Sequence, residues 1–85
     1  MLEQIENLTK VISVLCGQTP THKLEISIRN LESARLKMID HYMANGGTLK
    51  ELTQFNRKLA VHWVRKTQNK SWIVARDMCD EAMNS

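Results

Sequence analysis

The chain has 85 residues, 42% of them hydrophobic but only 5% aromatic, with 12 Lys and Arg against 9 Asp and Glu for a net charge of +3. A chain of this length makes a single domain, residues 1–85, and buries only about 60% of the surface its unfolded form exposes, so a homodimer is expected to complete a core built from Leu, Ile, Val and Met. No basic-then-apolar leader opens the sequence and no apolar run approaches the ~20 residues of a membrane span, which excludes a membrane partner and predicts a soluble, cytoplasmic protein.

The first predicted helix covers residues 2–16. Ile5, Leu8, Ile12 and Leu15 recur at three-four-three spacing and make one apolar stripe, either a dimer seam or the inner face of a packed helix. Glu6 and Lys10 stand in the favourable i,i+4 order outside it. Gly17 ends this helix. Thr19-Pro20 starts the next, with Thr19 as N-cap and Pro20 at the first helical position.

The second helix is predicted over 20–45, where Leu24, Ile28, Leu31, Met38 and Tyr42 form a stripe flanked by Ala34 and Ile39. Its opening also alternates like a half-buried strand at Leu24, Ile26 and Ile28. Helix is preferred, because a lone strand would have no partner elsewhere in the chain. Asn45-Gly46-Gly47 ends the piece, since glycine enters the left-handed region without strain.

Thr48-Leu49-Lys50-Glu51 is a capping box and opens a third helix, predicted over 49–68. On one continuous helix, Leu52, Phe55, Leu59 and Trp63 share a face, while Lys58, His62, Arg65 and Asn69 cluster away from it with Lys66 on the border. Thr67 to Lys70 is polar enough to break this helix. Ser71 caps a fourth, predicted over 71–83, with Trp72, Ala75, Cys79 and Ala82 on one side. A single helix from Leu49 to Met83 is the alternative. The fold class is therefore all-α, a compact bundle of three to four helices.

The charge is distributed unevenly along these pieces. Leu52 to Arg76 contains six basic residues (Arg57, Lys58, Arg65, Lys66, Lys70, Arg76) and no acid, together with both tryptophans, the single Phe and His62. Met1 to Glu51 is balanced, and Asp77 to Ser85 carries three acids and no base. A basic segment free of acids is the footprint of a polyanion partner, RNA or DNA. Lys58, Arg65, Lys66, Lys70 and Arg76 are the candidate phosphate ligands, and His62 and Trp72 the candidate base contacts. Trp63, on the apolar stripe, reads as core. Trp72 lies past the polar break between Lys70 and Arg76, at the core, at a dimer interface or on a base. The acidic end suits contact with the basic segment, either between protomers or in competition with the polyanion.

Leu49 to Lys66 also resembles a helix-turn-helix, with Thr48 to Gln54 as first helix, a turn at Phe55-Asn56 and Arg57 to Lys66 as recognition helix. The usual small residue and glycine of the turn are missing, and the connection is two or three residues short.

Enzymatic chemistry has little support. His22, His41 and His62 are scattered, no Cys/His metal spacing or catalytic carboxylate pair is present, and Gly46-Gly47 lacks the Lys of a phosphate loop. No cofactor is implied. Cys16 and Cys79 form no C-x-x-C pair and read as free thiols in a reduced compartment, with a single disulfide as the alternative. The sequence thus predicts a small non-enzymatic nucleic-acid-binding accessory or regulatory protein, with RNA or a single strand favoured over duplex because Trp and Arg are interleaved. Two alternatives stand beside it. One is a protein-interaction module that inhibits a host enzyme, of the viral or phage accessory type, and the other a degenerate helix-turn-helix DNA-binding regulator.

Overall fold

A computed structural model describes residues 1–85 and contains five helices and no strand: α1 (Leu2–Cys16), α2 (His22–Ala44), α3 (Leu49–Phe55), α4 (Arg57–Gln68) and α5 (Trp72–Met83). The all-α expectation holds. The expected count of three to four helices does not, because the piece predicted over 49–68 is two helices broken at Asn56. The alternating residues of 23–29 are helical. No helix is long and apolar enough to cross a membrane. Two compact units make up the chain, Met1–Tyr42 and Met43–Ser85, with the division in the last turn of α2.

In the first unit, the predicted stripe of α1 is graded. Ile5 and Ile12 are buried, Leu8 and Leu15 are half-buried, and Val11 and Val14 are exposed. Gly17 ends α1 as expected, its N–H donating to the Val14 carbonyl at 3.2 Å. The next helix starts two residues later than expected. Thr21, not Thr19, is the cap: its Oγ1 accepts from the Leu24 N–H at 3.1 Å, which leaves Thr19-Pro20 in the connection. Both threonines are competent caps, and pattern alone does not choose between them. The Thr9 hydroxyl donates to the Ile5 carbonyl at 2.8 Å and accepts from Arg35 Nη1 at 3.4 Å, which ties α2 to α1. Of the α2 stripe, only the flanking Ile39 is fully buried.

The second unit has its own three-helix core, in which α3, α4 and α5 each pack on the other two. Thr48 Oγ1 accepts from the Glu51 N–H at 3.1 Å, so the predicted cap forms. The carboxylate of Glu51 accepts from the Thr48 hydroxyl at 3.0 Å, a variation on the expected backbone contact. Asn56 then acts twice. Its extended backbone (φ −158°, ψ 99°) donates to the Leu52 carbonyl at 2.8 Å and closes α3, while its Oδ1 accepts from the Leu59 N–H at 3.1 Å and opens α4. An asparagine side chain competes well with helical backbone for such hydrogen bonds.

That break re-aims α4. On a continuous helix Leu52, Phe55, Leu59 and Trp63 would share the inner face. In the structure Leu52, Leu59, Ala60, Val61 and Val64 are buried, and Trp63 and Phe55 are only half-buried. Asn69 closes α4 in the left-handed conformation (φ 52°, ψ 46°), which asparagine tolerates better than most residues, and Ser71 Oγ caps α5 by accepting from the Val74 N–H at 3.3 Å. On α5, Ala75 and Cys79 face the core, whereas Trp72 is 53% exposed and does not join them as the stripe predicted.

Both cysteines are free thiols, Cys16 exposed and Cys79 buried. Burial pushes the Cys79 thiol above its ordinary range, and the opposing contributions of Thr53 and Arg57 are smaller. Since thiolate is the reactive form, a thiol reagent at pH 8 is expected to titrate one cysteine rapidly in the native protein and two after denaturation. Rapid labelling of both in the native state would contradict this core.

Candidate functional site

The break at Asn56 and the cap at Ser71 fix two walls of a cleft of about 400 Å³, lined by Arg57, Lys58, Val61, His62, Arg65, Trp72 and Arg76. The spacing explains the convergence. Lys58, His62 and Arg65 follow one another at i, i+4 and i+7 along α4, and Arg57 and Val61 form the adjoining i,i+4 row. Trp72 and Arg76 are the i,i+4 pair on α5. Val61, 6% exposed, gives the cleft an apolar base, while Lys58, Arg65 and Trp72 are exposed.

Five of the seven predicted site residues therefore line one cleft: Lys58, His62, Arg65, Trp72 and Arg76. Lys66 and Lys70 are exposed but do not line it. Arg57 joins it without having been singled out. Arg57 is the first residue of α4 and stands one turn before Val61, so it reaches the cleft rim on the same helix as Lys58, His62 and Arg65. The available signal was an asparagine three residues before Leu59, the N-cap spacing.

The basic residues are not electrostatically equivalent. The Arg57 guanidinium meets Asp80 at 2.7 Å, and Arg76 lies 3.6 Å from Asp77. Arg76 also places its guanidinium 5.0 Å from the centre of the Trp72 ring, within cation–π range. Lys58, Arg65, Lys66 and Lys70 make no ion pair. The acid-free segment is thus not acid-free in space: two of its six cations already hold carboxylates from α5. These pairs are partly exposed, so each contributes at most about 1 kcal/mol and a phosphate can compete for the cation.

The helix boundaries around Asn56 follow those of the helix-turn-helix resemblance to within two residues. A single residue connects the helices, however, where that motif uses three or four. No group of three or more His, Cys, Asp or Glu side chains converges as a metal site. No protein-family model matches the chain, and neither a curated protein nor a solved structure gives a match.

Proposed function

We propose that this chain is a small non-enzymatic accessory or regulatory protein that binds RNA or another single-stranded nucleic acid along the exposed side of α4. The observation that carries the reading is the cleft, in which the exposed Trp72 stands with the unpaired cations Lys58 and Arg65. Cations supply salt-dependent attraction to phosphate, and an exposed indole supplies a stacking surface that accepts any base. Lys66 and Lys70 extend the positive surface beyond the cleft, and Arg57 and Arg76 reinforce it when phosphate displaces their carboxylates. The thin core is the argument for a homodimer, and the two free thiols are the argument for a reduced cytoplasmic setting.

A protein target is the second reading. Trp72, Ile73 and Val74 are 53%, 59% and 44% exposed, which puts three consecutive large apolar residues on the first turn of α5. Such a turn beside a basic cleft also suits an acidic protein surface. A gel shift with generic RNA and with duplex DNA at two salt concentrations separates the readings. With four unpaired cations on phosphates, the single-strand slope is about −0.7 per contact, so affinity for RNA should fall ~50-fold between 50 and 200 mM salt. Duplex should bind more weakly. If neither polymer binds in a salt-sensitive way, the protein-target reading replaces this one.

A further inference from the structure

We infer that the cleft between α4 and α5 seats one unstacked nucleotide of a single strand, its base on the indole of Trp72 and its flanking phosphates on Lys58 and Arg65. The inference rests on the nucleic-acid reading above and narrows it from a basic face to a ligand unit. Size is the first argument. A cleft of about 400 Å³ lies at the small end of ligand sites, suited to one nucleotide.

Chemistry is the second. Val61 provides an apolar base and Trp72 an aromatic wall. The Arg76 guanidinium lies over the Trp72 ring at 5.0 Å, while the residue remains 53% exposed, so the ring is both held and accessible. Holding the ring in place before binding lowers the entropy lost when a base stacks on it. A duplex keeps its bases stacked on one another and offers no such face.

The ion pairs supply the third argument. Arg57 and Arg76 share their charge with Asp80 and Asp77, whereas Lys58 and Arg65 face no carboxylate and meet a phosphate uncompensated. These two free cations stand seven residues apart on α4, about 10 Å along the axis, and their long side chains can close that spacing to the distance between successive backbone phosphates. A free mononucleotide carries its charge at one end and satisfies only one of them. The site therefore selects a nucleotide within a strand.

The test compares three probes on the full chain by competition and tryptophan fluorescence: hexaadenylate, an abasic hexamer of equal charge, and AMP. Hexaadenylate should bind about tenfold more tightly than the abasic hexamer and quench the emission, since stacking one base on an aromatic ring is worth a factor of this order. Trp72→Ala should bring hexaadenylate down to the abasic level. Trp72→Phe should restore most of the difference, because it keeps a stacking face. Equal affinities for the two hexamers in the wild type would overturn the base seat and leave the electrostatic reading standing. AMP binding as tightly as hexaadenylate would overturn the strand assignment. If neither hexamer binds, both readings fall. Circular dichroism of the variants checks that the fold is retained.

Discussion

Replacing Arg65 and Lys66 together by Glu is expected to weaken single-strand binding several-hundredfold and to flatten its dependence on salt. Both residues are exposed and neither is ion-paired, so the fold should not register the change. A slope of about −0.7 per phosphate contact makes each contact worth roughly fivefold at 0.1 M salt, so losing two costs ~25-fold. Two new carboxylates repel by a similar factor, which brings the expected loss to roughly 600-fold. The slope should fall from about −2.8 toward zero, since the two reversed charges cancel Lys58 and Lys70. Filter binding over a salt series reads both quantities. A variant that keeps the wild-type slope would move the phosphate contacts off α4.

Arg57 behaves differently, for a reason the charge count conceals. Truncating Arg57 removes a cation that already faces Asp80 at 2.7 Å, and it frees that carboxylate within reach of the cleft. The binding loss then combines a missing contact with a released anion. The acidic end of the chain, expected from its composition to meet the basic segment, does so inside the second unit through Asp77 and Asp80. These carboxylates lower the charge of the cleft without closing it. On the proposed nucleic-acid reading, the unpaired residues Lys58, Arg65, Lys66 and Lys70 therefore carry most of the attraction to phosphate.

The parts of this molecule legible in its sequence are those governed by local chemistry. The stop at Gly17, the cap at Thr48, the end near Gly46 and the cap at Ser71 each depend on one or two side chains and their own backbone. The Lys58–His62–Arg65 row was legible for the same reason, because i,i+4 geometry holds on any helix. Asn56 was not. Apolar spacing across it suits a continuous helix, whereas the Asn56 backbone closes α3 on Leu52 and its side chain opens α4 on Leu59. The inner face of α4 changed with that break: Trp63 stands toward the edge, and Val61 and Val64 are buried. Trp72 was ambiguous because a stripe counts positions, whereas the first turn of α5 overhangs the core that Ala75 and Cys79 reach.

The largest effect on stability is expected from Leu52→Ala, at about 3 kcal/mol, a large fraction of what a small domain possesses. Leu52 is fully buried, and α3 has only seven residues. A helix that short does not persist in water alone, so α3 exists because its inner side chains are packed against α4 and α5. Removing the Leu52 side chain leaves a cavity and weakens both of those contacts at once. Thr53, whose hydroxyl donates to the Leu49 carbonyl at 2.7 Å, has a single methyl group and cannot replace the lost isobutyl volume. Urea unfolding followed by circular dichroism should show the midpoint lowered by about 2 M. Arg65→Glu/Lys66→Glu, on the exposed side of α4, should stay within about 0.5 kcal/mol of the wild type in the same assay. The pair of variants separates scaffold from surface: the first should lose binding only as it unfolds, the second while fully folded. A Leu52→Ala loss below about 1 kcal/mol would mean that α3 is dispensable to the second unit.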